Sequence, residues 1–290
     1  MFSLYLAQAV TSGLALGAVY GLMALGFCLI YNASRLINFA QGELLLLSGL
    51  GILSLVQALN LHWTLGILAA CLWGFVLGLF LYATTLGLTM RAHPLRQLML
   101  TVAASLIWQG LAILVWGKQP HVLPRMAPMP DLRLGPMYFS QDTVTAMVVS
   151  LAAGGLLHLF LRHTRTGTAV RAVSMHSLAA TLQGVNPIRT YAICFALSGT
   201  LAALAAMCVG PQTMLRHDMG FAVGLKGFVA ATVGGYSSLG RVFLGGIFLG
   251  VLEAGLVLAF NNELKEALTF LLLIALLVVM PLGEKHAHAR

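Results

Sequence analysis

Residues 65–87 read LGILAACLWGFVLGLFLYATTLG, a run of 23 residues without a charged side chain and apolar all round. A hydrocarbon core about 30 Å thick is crossed by roughly 20 such residues in a helix. Strands of a membrane barrel would alternate polar and apolar positions. This run does not, so a helix is the structure that satisfies its backbone in lipid. Similar runs lie at 4–30, 37–59, 98–117, 143–161, 190–209, 242–260 and 267–282, with a glycine-rich stretch at 221–241. Composition agrees: 59% of the 290 residues are hydrophobic, only 8% are charged, and mean hydropathy is +0.92. Soluble domains carry about a quarter charged residues. The expected fold is all-α: a polytopic transmembrane bundle of about eight spans, one domain over 1–290, with a broken or re-entrant helix near 221–241.

The N-terminal MFSLYLAQAV lacks a basic flank, and its apolar run is too long for a cleaved signal, so it reads as the first span. Cys28, Cys71, Cys194 and Cys208 stand apart within apolar runs, as small packing residues do. His286 and His288 read as a solvated tail, and no metal site is expected. The net charge of +8 is not a nucleic-acid signature here, because the basic residues sit in loops between spans, where topology selection puts them. Arg35, Arg91, Arg96, Arg162, Arg165, Arg171 and Arg189 fall on one side with no acids among them. On the other side Lys118, Arg125, Arg133 and Arg216 are mixed with Asp131, Asp142 and Asp218. Loop 162–189 is therefore expected in the cytoplasm, and the proline-rich loop 118–142 outside. The tail is cytoplasmic if 221–241 crosses and external if it re-enters.

Glycines recur at four-residue spacing: Gly13, Gly17 and Gly21, then Gly74 and Gly78, then Gly246 and Gly250. Such spacing lets helices pack backbone to backbone. Gly234, Gly235, Gly240, Gly245 and Gly246 crowd one region, and a helix break is expected at 234–241. Glu43, Lys226 and Glu253 are the charges within spans, and charges there mark function or an interface. Lys226, beside the expected break, is the one most suited to snorkel. The chain has no GxxxxGK[ST] phosphate loop, no HExxH and no GxSxG, so no nucleotide site or catalytic centre is expected on it.

Between Gly167 and Gly184, apolar residues recur in a partly amphipathic, alanine-rich helical pattern closed by Gly184 and Pro187. Spacing alone fits a helix lying on lipid or one inserted into a groove of a partner. Ala179, Ala180 and Gly184 match the A-A-x3-G spacing of the loop by which bacterial ABC importer permeases contact their ATPases, with Leu178 where that family carries Glu. The stretches LINFAQGELLLLSGL (36–50), RTGTAVRAVSMHSLAATLQGVNPIRTYAICFALSGTLAALAA (165–206) and GLKGFVAATVGGYSSLGRVFLGGIFLGVLEA (224–254) resemble the LivH-type permeases of the branched-chain amino-acid (Liv) ABC importer family. Arg241 departs from the proline or small residue expected there.

The resemblance implies a bacterial inner-membrane permease that pairs with a second, homologous permease. Two ABC ATPases, which hold the ATP and magnesium, would dock beneath, and a periplasmic binding protein would deliver substrate. No cofactor is implied on this chain. Gly167, Arg171, Leu178, Ala179, Ala180, Leu182 and Gly184 would form the coupling helix. Asn38, Phe39, Gln41, Glu43, Lys226 and Glu253 are candidates for the translocation path or the permease seam. Substrates of such a family run from leucine, isoleucine and valine to other amino acids and amides such as urea. The rival from the residues alone is a stand-alone secondary transporter or channel with an ion site near Glu43 or Glu253.

Overall fold

The computed structural model describes residues 2–59, 62–89, 93–125, 130–134, 137–236 and 238–259, with scattered positions between 267 and 278. The helices are α1 (Phe2–Ser34), α2 (Gln41–Leu59), α3 (Trp63–Thr84), the single turn α4 (Leu86–Thr89) and α5 (Pro94–Trp116). A short hairpin, β1 (Leu132–Leu134) with β2 (Met137–Phe139), precedes α6 (Gln141–His163). Then come α7 (Arg165–Met175), α8 (Ser177–Leu182), α9 (Pro187–Val209), α10 (Met219–Gly234) and α11 (Leu239–Ala259). Among the described residues seven helices are long and apolar enough to cross a membrane, and α10 is a shorter apolar helix. The fold is the expected all-α bundle. The span expected at 267–282 and Arg91 lie outside the described residues, isolated positions of the former apart.

The bundle has a buried centre and an outer ring. Most of the apolar stretch is buried in α1 (89%), α9 (72%) and α2 (67%), against 28% in α3 and α5 and 22% in α6. From Gln41 to Leu53 every residue of α2 is buried, because α3, α5, α9 and α10 pack around it. The second helix starts later than its apolar pattern suggests. Arg35 has φ 58°, and residues 36–40 form an irregular link in which the Asn38 side chain accepts from the Ala40 N–H at 3.1 Å. Asn38 and Ala40 are buried, so this non-helical backbone is covered by protein, as it must be within a membrane.

The glycine spacing resolves into two seams. Gly13, Gly17 and Gly21 of α1 face Gly246 and Gly250 of the antiparallel α11, and a methyl group added at Gly17 would stand 2.7 Å from Ile247 Cα. Gly74 and Gly78 of α3 receive Gly199 and the Phe195 carbonyl of α9. Close backbone approach takes the place of the hydrophobic drive that lipid abolishes. Gly17→Leu should therefore force α1 and α11 apart at a cost of about 1–3 kcal/mol. Thermal denaturation in detergent should show the loss, while Gly110→Leu, where an added methyl meets nothing within 4 Å, should leave the transition unmoved.

The break expected at 234–241 is narrower. Gly235, at φ 75°, ends α10, and Tyr236 follows at φ 54°. Asn32 donates to the Tyr236 carbonyl at 2.8 Å, which fastens this turn to the end of α1. The chain then reverses: Gly234 packs on Val242 and Gly245 on Ala230, so α10 and α11 form a tight antiparallel hairpin. Gly234 and Gly235 sit at the break, whereas Gly240, Gly245 and Gly246 lie inside α11 and do not interrupt it. The broken stretch expected at 221–241 is thus α10, the turn at Gly235–Tyr236 and the start of α11.

Residues 118–140 carry no described helix. They hold the β1–β2 hairpin and are pinned by Arg125, whose guanidinium donates twice to Asp142 at 2.9 Å. That carboxylate raises the Arg125 pKa above its ordinary value. The expected single helix over 167–184 is two helices. Thr164 caps α7 by accepting from the Gly167 N–H at 2.9 Å, and His176 Nδ1 caps α8 by accepting from Ala179 N–H at 3.2 Å. Gly184, at φ 84°, closes α8, with Val185 N–H returning to the Ala180 carbonyl at 3.0 Å. This left-handed cap suits glycine.

Candidate functional site

Three groupings collect the candidate residues. The first is the start of α2. Gln41 Oε1 accepts from Ser198 Oγ at 2.8 Å, and Glu43 Oε1 accepts from Ser105 Oγ at 3.2 Å. Phe39 donates its N–H to Thr101 Oγ1 at 3.2 Å and packs its ring 6.1 Å from Phe228. Gly42 lies against Gly220 and Gly224, which brings α10 onto α2 and covers the polar groups. Asn38, Gln41 and Glu43 are almost wholly buried within the chain. Among the described residues, Asn38 Nδ2, Gln41 Nε2, Glu43 Oε2 and Ser48 Oγ have no protein hydrogen-bond partner. Ser105 and Ser198 complete this set. Sequence reasoning passed over them because a serine in an apolar helix is common and its partners are far along the chain.

The second grouping is an ion pair inside the bundle. Lys226 Nζ lies 2.8 Å from Glu253 Oε1, and Tyr20 donates its hydroxyl to Glu253 Oε2 at 2.8 Å. Lys226 Nζ is also 3.3 Å from the Tyr20 oxygen. The three side chains join α10, α11 and α1. Lys226 does not snorkel: its side chain is 10% exposed and that of Glu253 is 1% exposed. The antiparallel α10–α11 hairpin is what sets residues 226 and 253 opposite each other. The pair is separate from the Gln41–Glu43 set, so the structure does not gather the six path candidates into one site.

The third grouping is the α7–α8 tip. Met175, Leu178 and Leu182 are exposed to 85%, 65% and 83%, and Ile188 at the start of α9 to 54%. Arg171 and Ala179 are exposed as well. Gly167 and Ala180 are buried inward, with Gly167 against α6, and Gly184 serves the turn into α9. Arg171 donates to the Arg162 carbonyl at 3.4 Å, and Arg35 donates to the Ser174 carbonyl at 3.2 Å, which ties the tip to α6 and to the α1–α2 link. Met175 and Ile188 extend the apolar tip beyond the residues singled out from sequence. Among the described residues no cluster of three or more His, Cys, Asp or Glu is placed to hold a metal.

Residues 9–277 match the model of a family described as branched-chain amino acid transport system / permease component. The chain is 30% identical to the high-affinity branched-chain amino acid transport system permease protein LivH of Salmonella typhimurium, over 97% of this chain and 95% of that one. It is 28% identical to the corresponding protein BraD of Pseudomonas aeruginosa, over 95% and 94%. Among solved structures it resembles PsaBC from Streptococcus pneumoniae in complex with Fab, with a TM-score of 0.54 at 14% identity, covering 93% of this chain and 89% of that one. That likeness speaks to the fold alone. With a family match over nearly its whole length and these relatives, the chain belongs to the branched-chain amino acid transport permeases, a multi-pass inner-membrane transport protein and not an enzyme.

Proposed function

We propose that this chain is one of two homologous permease subunits of an ATP-driven importer of branched-chain or related amino acids. Two ATPase subunits dock on its α7–α8 tip and hold the ATP and magnesium, and a periplasmic binding protein supplies the substrate. The observation that carries the docking is the tip itself: Met175, Leu178 and Leu182 project with more than half of each side chain uncovered. Exposed apolar side chains at the end of a bundle, away from its spans, mark a partner surface.

Helix pairing supports the side of the membrane assigned to each loop. Gly78 of α3 meets Phe195 of α9 while Gly74 meets Gly199, so α3 and α9 run antiparallel. The end of α3 and the start of α5, with Arg96, therefore share an end with α7–α8 and with Arg35, Arg162, Arg165, Arg171 and Arg189. An end that gathers arginines unopposed by acids belongs in the cytoplasm, and the β1–β2 hairpin then lies in the periplasm. Movement of the tip with the ATPase dimer would rock the bundle between outward- and inward-open states. The carrier reading is weakened by Lys226, which already neutralises Glu253.

The test is a mild-detergent purification of the tagged chain with ATPase activity assayed on the eluate. A second permease and ATP-hydrolysing subunits should come down with it. A clean homo-oligomer without associated ATPase would sink the importer reading and turn attention to Glu43 as an ion site.

A further inference from the structure

Two hollows, of about 580 Å³ and about 520 Å³, share His158 and Leu239 and run together as one groove along α6. Its walls are α6 on one side and α1 with the start of α11 on the other, and α7 closes one end.

The groove is built to stay open. Gly154, Gly155 and Gly240 line it; a methyl group added at Gly155 would meet nothing within 4 Å, and one at Gly154 would meet only Leu25 Cδ1 at 3.5 Å. At Gly13, Gly17 and Gly74, by contrast, the added methyl would strike the backbone of a neighbouring helix. Helix interiors disfavour glycine relative to alanine, so the Gly154–Gly155 pair leaves room for an occupant that the described residues do not supply.

The lining is also graded in polarity. Ser150 is buried with its Oγ unpartnered among the described residues, and Gly154, His158 and Arg162 follow at four-residue steps along the same stripe of α6. Arg171 joins Arg162 at the α7 end, and among the described residues no Asp or Glu lines either hollow. The opposite wall is mainly apolar, with Leu25, Leu29 and Phe243, and carries Asn32, Tyr236 and Ser238 as its polar members. A basic stripe facing an apolar wall complements a small molecule with one carboxylate and an aliphatic side chain.

We propose that this groove is the chain's share of the translocation path, taking an amino acid with its carboxylate toward His158 and Arg162 and its side chain along Leu25 and Phe243. The proposal rests on the importer reading and locates the path within it. It also links transport to the ATPase surface: Val170 and Ser174 of α7 line the mouth, while the tip that follows on α7–α8 is the docking surface. A displacement of α7 therefore changes the width of the mouth directly.

The test uses the full importer in phosphatidylethanolamine–phosphatidylglycerol vesicles, with the four native cysteines replaced and Gly155→Cys introduced. A water-soluble methanethiosulfonate reagent should label Gly155→Cys, and trapping the complex with ATP and vanadate should change the rate by about tenfold or more. Arg162→Gln should raise the concentration of labelled amino acid for half-maximal uptake by about tenfold, the size of one charge-assisted hydrogen bond. Labelling only by a lipid-soluble maleimide would make the groove a lipid site. A disulfide from Gly155→Cys to the second permease, with no reagent access, would make it a dry seam. Either result overturns the proposal while wild-type ATP-dependent uptake leaves the importer reading standing. Absence of that uptake in the wild type would overturn the importer reading itself, and the groove assignment with it.

Discussion

Lys226→Met should destabilise the bundle by about 3–5 kcal/mol, the range seen when one partner of a buried ion pair is removed. The reason is what it leaves behind. The Glu253 side chain is 1% exposed and is held 2.8 Å from the ammonium, with the Tyr20 hydroxyl on its other oxygen. Without Lys226 the carboxylate is uncompensated in an apolar interior, where it must take up a proton or draw in water. Glu253→Met should cost a similar amount, because it strands the ammonium instead. Tyr20→Phe removes the hydroxyl that donates to Glu253 and accepts from Lys226, and should cost about 1.5–3 kcal/mol. The informative variant is the double one. Lys226→Met with Glu253→Met removes both charges and fills similar volume, so it should recover most of the loss, since buried pairs often contribute little net stability. Thermal denaturation of the purified protein in detergent reads all four. If the double variant is as unstable as the singles together, the two residues do not act as a pair.

Leu178→Arg should abolish ATP-driven uptake while the chain still inserts and purifies in normal amounts. Leu178 is 65% exposed, so a charged side chain there is solvated in the isolated chain. Docked in an apolar groove of an ATPase, the same guanidinium would be buried without a partner, a penalty of several kcal/mol. A loss of about 2.7 kcal/mol already lowers affinity roughly a hundredfold. Gly184→Trp should act through the backbone. A non-glycine residue at φ 84° costs about 1–2 kcal/mol, and the strain falls on the turn that orients α8 against α9. Uptake by reconstituted vesicles, with co-purified ATPase activity as the second readout, checks both. If uptake survives both substitutions, docking on this tip is wrong.

Much of the architecture was legible in the chain. Apolar runs placed the long helices to within a few residues, since span length and hydropathy are local properties. The glycine repeats marked faces that do meet, because only a side chain reduced to hydrogen lets Gly17 touch α11 or Gly74 touch α9. The break beside Gly235 was also visible, although its consequence, an α10–α11 hairpin, was not. The site was less legible. The pairing of Lys226 with Glu253 depends on that hairpin, and the partners Tyr20, Ser105 and Ser198 are ordinary residues in apolar helices. His158 and Gly155 drew no attention because a lone His and a Gly pair gain meaning only when the facing wall is known.

The amino-acid sequence by itself determined that this is a helical membrane protein, where its spans lie, which faces are smooth and which end is basic. Only the tertiary structure decided which helices stand at the centre, which charges are paired and where the open groove runs. The physical reason is that lipid and protein interior are alike in polarity. The apolar windows of α1 and α5 have the same hydropathy, 2.1, yet 89% of one and 28% of the other is buried. In water, burial is written into the hydrophobic pattern; in a bilayer both environments ask for the same residues, and packing alone distinguishes them.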